Sequence, residues 1–225
     1  MPYQRSYRRK RPAKSGPFVR FQKKDSTAIK ALKMAYNVRQ LINVEFKESN
    51  TQVDENVGTG WSLQLLNGLQ KGTDNTNRVG DSIKVKSIEV KSGAYLTSSF
   101  SGLYQRVRRI IFIDLQPNAG TPSQSALLEN ALSDWTYAFK NLDNKKRFVI
   151  LKDDVITMSP NTNAAISFPD YYYKMNMHTA YDSSNVGDVT DISTNAIYIA
   201  FMSNSTAGAQ DPSVLSNQRI RYIDN

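Results

Sequence analysis

Arg78-Val79-Gly80-Asp81-Ser82-Ile83-Lys84-Val85-Lys86-Ser87-Ile88-Glu89-Val90 is the stretch from which the fold is read. From Ile83 to Lys86 apolar and charged side chains alternate with period two, as in a strand buried on one face only. The alternation then slips, because Ile88 and Val90 share parity with Lys84 and Lys86. The slip has two readings: a bulge near Ser87, or burial of both faces. Upstream, Gly72–Asn77 is a polar turn cluster that delivers the chain into this strand.

Outward from this stretch the pattern stays β. Leu41–Phe46, Trp61–Leu66, Val107–Leu115, Arg147–Met158, Tyr171–Tyr181, Ala196–Met202 and Ile220–Ile223 read as further strands. Turn clusters at Pro117–Pro122, Pro160–Asn163, Asp182–Asp188 and Ser203–Pro212 separate them. Two segments suit helices. One is 26–42, with Ser26 as N-cap, and the other is Ser123–Leu132, behind Pro122 and with Ser123 as N-cap. About eight strands with one inserted helix predict an antiparallel sandwich or barrel.

Charge divides the chain. Residues 1–24 carry Arg5, Arg8, Arg9, Lys10, Arg11, Lys14, Arg20, Lys23 and Lys24 and no acid, and their sum equals the net charge of +9 of the whole chain. The remainder is neutral. This predicts three parts: a solvated basic arm over 1–25, a connecting segment over 26–40, and a β domain over 41–225. Polyanions are the natural partners of such an arm. Tyr3, Tyr7, Phe18 and Phe21 are placed either to stack on bases or to dock the arm on the domain. Arg8, Arg9, Lys10, Arg11 and Lys14 also read as a nuclear localisation signal.

Zero cysteines exclude disulfides, zinc ribbons and thiol nucleophiles. There is no apolar run long enough for a membrane-spanning helix, so membrane insertion is not expected. The basic start lacks the apolar core of a secretory signal, and Pro2, Pro12 and Pro17 break the helix that a mitochondrial transit peptide needs. His178, the one histidine, makes no zinc site alone and reads as structural or surface. Gly72–Gly80 lacks the Gly-Lys-Ser/Thr ending of a phosphate loop and precedes a strand, so it reads as a polar loop containing Arg78. Asp143, Asp153, Asp154 and the Asp182–Asp191 loop are carboxylate-rich. A divalent cation between subunits and plain loop solvation are both readings of them. Tyr171, Tyr172, Tyr173, Trp135 and Tyr137 serve either the core or an interface. No residues form a catalytic constellation, so no enzyme and no cofactor is expected.

Four segments, in this order, carry a resemblance. Gly72–Ile88 ends a polar loop in Arg78-Val79-Gly80 and continues as Ile83-Lys84-Val85-Lys86-Ser87-Ile88. Arg106–Gly120 is a strand closing on Asp114 and a Pro117-Asn118 turn. Lys146–Asp153 has the form Arg-Phe-x-x-Leu-x-Asp, and Asn195–Phe201 is a penultimate strand. Together, behind a basic arm, they resemble the capsid proteins of circular Rep-encoding single-stranded DNA viruses (circovirus-like). The resemblance covers most of residues 40–224, and the arm is shorter and less arginine-dense than in many circoviruses.

The resemblance implies an all-β, eight-stranded antiparallel jelly roll, sixty copies of which form an icosahedral shell. It implies that the nine basic arm residues hold circular single-stranded DNA. It also implies a virion location with a nuclear stage, and import receptors and a cell-surface receptor as host partners. Two alternatives remain at this level: a coat protein of a small RNA virus or satellite, and a soluble nucleic-acid-binding β-barrel. The second should carry basic and aromatic residues on its body as well as its tail.

Overall fold

The computed structural model describes residues 26–41, 46–129, 134–182 and 184–224. Contacts divide the chain into two units, Met1–Val44 and Glu45–Asn225. In the first unit, helix α1 runs over Thr27–Leu41. Ser26 begins it as the sequence predicts: its hydroxyl accepts from Ile29 N–H at 3.4 Å and its carbonyl from Lys30 N–H at 2.9 Å. Leu41 therefore closes a helix instead of opening a strand, and residues 42–45 lie outside the described ones.

Among the described residues the second unit has twelve strands. Eight are principal: β1 (Phe46–Asn56), β2 (Ser62–Leu65), β3 (Ser82–Tyr95), β4 (Gln105–Asp114), β7 (Phe148–Met158), β9 (Tyr171–Tyr181), β11 (Ala196–Ser203) and β12 (Ser213–Asp224). Four short strands join them: β5 (Leu128–Glu129), β6 (Phe139–Lys140), β8 (Ala165–Ser167) and β10 (Ile192–Thr194). The pairing is antiparallel throughout. One sheet has the order β1-β12-β3-β9-β10, with β8 on the end of β3, a second has the order β2-β11-β4-β7, and β5 pairs with β6 in a two-stranded third. Counting the principal strands one to eight, the sheets are 1-8-3-6 and 2-7-4-5. That is the double Greek key of a jelly roll, as the resemblance implied.

Alternation explains which side chains meet between the sheets. Ile83, Val85, Ile88, Val90 and Ala94 of β3 face Ile111, Ile197, Ile199 and Phe201 of the other sheet, and all are buried. The parity slip is a bulge. Val85 pairs with Tyr222 and Ser87 with Arg221, leaving Lys86 unpaired with β12, and the ladder to β9 shifts at the same point.

The outward face of the second sheet is apolar too. Trp61 stacks on Phe112 (5.8 Å), Phe112 on Tyr198 (5.4 Å), and Phe148 meets Phe112 edge-on. The chain covers this face with its own insertion between β4 and β7. The predicted helix Ser123–Leu132 is only one turn, α2 (Gln124–Leu127), because Leu128 leaves it in an extended conformation to start β5. Ser123 is nevertheless its cap, with its side chain accepting from Ala126 N–H at 3.2 Å. Arg108 fixes the insertion by donating to the carbonyls of Trp135 (2.9 Å) and Ala138 (2.8 Å).

Candidate nucleic-acid interface

The nine basic arm residues, Arg5 to Lys24, and the localisation run Arg8–Lys14 lie outside the described residues. The described residues bring a second group of cations together. β1, β12, β3 and β9 lie side by side, and every other residue points away from the second sheet. That outer face carries Lys84, Lys86 and Lys91 from β3, Lys174 from β9, and Arg219 and Arg221 from β12. Glu48 and Glu89 are interspersed among them. Arg221 lies 3.9 Å from Glu48 and 3.8 Å from Glu89. Such long, solvated pairs leave the guanidinium available to another anion.

A shallow groove passes between Phe46, Lys86, Tyr172, Lys174 and Arg221, and a second between Asn50, Glu89, Lys91 and Arg219. Phe46 is 68% and Tyr172 52% exposed, so the face offers aromatic rings between cations. Net charge conceals this group, because most of the acids that balance the body sit off this face, Glu48 and Glu89 being exceptions. The signal was present, because Lys84/Lys86 and Arg219/Arg221 are each two apart and so share a face of a strand. What was missing was that their strands, far apart in sequence, pair.

The rim where β1 begins is held by buried ions. Lys47 is buried, 2.9 Å from Asp224 and 3.0 Å from the carbonyl of Asn77. Tyr222 hydroxyl donates to the same carbonyl at 3.2 Å. Arg78 is fully buried, with its guanidinium over the ring of Tyr181 (4.3 Å). It donates to the carbonyls of Leu69 (3.1 Å), Gly80 (2.7 Å) and Ser184 (2.8 Å) and to Asp81 (3.0 Å). It thus ties together the two loops that lead into β3 and out of β9.

Hydrogen bonds from Lys71 and Arg78 hold the Asp81 carboxyl below its ordinary range. Burial pushes Asp191 up. The Ser184 hydroxyl, the backbone N–H groups of Gly187 and Val186, and the Arg78 charge outweigh that and hold it lowered. The two loops touch backbone to backbone at Gly187 (φ +79°), and a Cβ on Gly68 would lie 2.4 Å from the Gly187 carbonyl.

The other sequence candidates have structural posts. Asp153 is bidentate with Arg108 (2.8 and 2.6 Å). Asp154 accepts from Arg109 at 2.6 Å and lies 3.0 Å from Lys152. The fully buried Arg109 also reaches Ser92 of the facing sheet at 2.7 Å. Among the described residues no cluster of three or more metal-ligating side chains occurs, and no helix is long and apolar enough to cross a membrane. His178 is exposed opposite Lys84. Tyr171 is half-buried and stacked on Tyr173 (6.2 Å), and burial pushes its phenol up to about 12. Trp135 packs against the core, while Tyr137 is exposed under the Arg106 guanidinium at 3.5 Å.

No curated protein sequence matches this chain. Among solved structures it is similar to that of Desmodium yellow mottle tymovirus (10% identity, 80% of this chain and 88% of that one, TM-score 0.38). It is also similar to turnip yellow mosaic virus at 100 K (9%, 81% and 94%, TM-score 0.31). The dimeric latent PorU of Porphyromonas gingivalis matches at 9% identity over 80% of this chain and 13% of its own (TM-score 0.32). At such scores the assignment of the fold rests on strand order alone. A family model describing the Geminivirus coat protein/nuclear export factor BR1 family matches residues 1–225, the arm included. The jelly roll, the basic arm and this full-length match agree: the chain belongs to the Geminivirus coat protein/nuclear export factor BR1 family and is a viral capsid protein.

Proposed function

We propose that this capsid protein closes into a sixty-subunit icosahedral shell and packages circular single-stranded DNA. In this reading the arm residues Arg5, Arg8, Arg9, Lys10, Arg11, Lys14, Arg20, Lys23 and Lys24 follow the phosphate backbone. Lys84, Lys86, Lys91, Lys174, Arg219 and Arg221 form a second, folded cationic surface. One observation carries the proposal: the entire net charge of +9 resides in an acid-free leader attached to a jelly roll of otherwise balanced charge. A run of closely spaced cations needs no shaped site to neutralise a polyanion, because it gains free energy by releasing condensed counterions. Exposed Phe46 and Tyr172 favour single strands, whose unstacked bases offer faces to them. Nothing here reads base edges, so little sequence preference is expected. The run Arg8–Lys14 doubles as the signal that host import receptors recognise, which gives the protein a nuclear stage before the virion.

The test compares the full chain with one beginning at Ser26, by electron microscopy and the ratio of absorbance at 260 and 280 nm. The expected result is uniform shells from both, with nuclease-resistant DNA only in the full chain. Monodisperse monomers or dimers at moderate salt with DNA supplied would overturn the shell. DNA binding by those small species would point instead to a transport role.

A further inference from the structure

Helix α1 carries its apolar side chains in the open. From Ala28 to Val38 charged or amide side chains occur only at Lys30, Lys33 and Asn37. Their spacing, i, i+3 and i+7, puts all three on one narrow strip of the helix. The rest of this surface is apolar, and its large groups are exposed. Leu32 is 72%, Met34 59% and Val38 52% exposed, and Ile29 and Tyr36 are nearly half exposed. Charge on the segment has one sign. Between Ser26 and Val44 lie Lys30, Lys33 and Arg39 and no acid. The nine basic residues of the leader precede them, with Asp25 as the one acid before Glu45.

We infer that α1 lies flat on the surface of an anionic lipid bilayer, with its apolar face among the acyl chains and its lysines at the headgroups. A helix that is broadly apolar with a strip of lysines fits the interface plane of a membrane. It is not a spanning helix: its 15 residues reach roughly 22 Å, short of a hydrocarbon core of about 30 Å. Charge chooses among the occupants. A second copy of α1 would bring lysines and leader against a segment of the same sign. DNA would take the cations and leave Leu32, Met34 and Val38 in water. An anionic bilayer takes both. Acyl chains cover the apolar groups, and each cation near the surface improves partitioning about fivefold. One such signal holds a protein only marginally, whereas an apolar face beside a polybasic run holds it stably. The protein thus has a membrane-bound state, which goes beyond the shell and packaging reading and does not depend on it.

The experiment floats nuclease-treated full-length protein with vesicles of phosphatidylcholine, either alone or with about a third phosphatidylserine. Wild type should bind the anionic vesicles at least about tenfold better than the neutral ones. Leu32→Gln with Val38→Gln keeps the charge and the helix propensity of α1. It should lower vesicle binding about tenfold, while oligodeoxynucleotide binding and the unfolding midpoint of the β domain stay unchanged. Leu32→Trp probes depth. Lipid brominated in its acyl chains should quench the added fluorescence, whereas Trp61 and Trp135, packed against the core of the β domain, should not respond. Vesicle binding that survives the glutamine pair, or that leaves Leu32→Trp unquenched, would assign the attraction to the leader's charge alone and overturn the inference. Absence of vesicle binding would overturn it outright, and a loss of oligomers in the glutamine pair would then name a second copy as the occupant. Each of these failures leaves the shell and packaging reading intact.

Discussion

The two sheets turn opposite kinds of face outward. Among the described residues the outer face of β1-β12-β3-β9 is uncovered, polar and cationic, with Lys86, Lys174 and Arg221 around exposed aromatic rings. The outer face of β2-β11-β4-β7 is aromatic and covered by residues 124–129 and 135–140 of the insertion. The difference shows a division of labour within one fold. A sheet that buries both faces contributes stability, while a sheet that buries one leaves the other free for a partner. Substitutions should follow the same division.

The largest effect is expected under the insertion. Phe112→Ala removes a ring that touches Trp61, Phe148 and Tyr198 and should cost about 3–5 kcal/mol in urea unfolding. Tyr172→Ala on the bare face should stay within about 0.5 kcal/mol. Equal losses would mean that the bare face is also packed. Next is Asp154→Ala, which strands the buried Arg109 between the sheets and should cost about 3–5 kcal/mol. Asp153→Ala, whose carboxylate is a third exposed, should cost less.

The third substitution reverses the readout. Arg221→Gln with Lys86→Gln should leave the unfolding midpoint within about 0.5 kcal/mol of wild type, since both side chains are solvated. It should weaken oligodeoxynucleotide binding and flatten its log–log salt slope by about 0.7 per lost phosphate contact. An unaltered slope would remove the folded face from the proposed DNA contact and leave the arm alone.

The smallest effect is one of pH. Asp81 and Asp191 have folded-state values below the ordinary carboxylate value. Their stabilisation is therefore complete above about pH 4 and is lost as pH falls through the lowered values. Acid titration should thus first loosen the loops tied by Arg78, detected as faster amide exchange at Gly187. At the other extreme Tyr171 is raised to about 12, and burial raises Tyr181, Tyr198 and Tyr222 as well. Their contribution is present below pH 10 and is lost above it, so absorbance at 295 nm should show phenols that ionise only as the fold opens.

The sequence revealed the strands that bury one clean face or two, such as Ile83–Lys86 and Ala196–Met202. It did not reveal β1. The inward positions of that strand are Lys47, Ser49, Thr51 and Val53, and the buried Lys47 is satisfied by Asp224 at the far end of the chain and by the Asn77 carbonyl. A buried cation whose partner lies at the far end of the chain carries no local signal. The one-turn α2 was overestimated for the opposite reason. Its helical spacing was real, but pairing of Leu128 with Lys140 prevailed over propensity. For the candidate interface, the arm needed only composition to be recognised. The folded cations needed strand order, which periodicity does not encode.

That order has a consequence for synthesis. β12, the last strand of this sequence, lies between β1 and β3 and pairs with both along nearly its whole length. Phe46 meets Ile223, and Asn56 meets Ser213. Contacts so distant in sequence close late and slowly. A nascent chain stopped before Ser213 lacks the strand that joins β1, and the basic leader before it, to the rest of the sheet. Without Ser213–Asp224, β1 and β3 have no strand between them and this sheet cannot close.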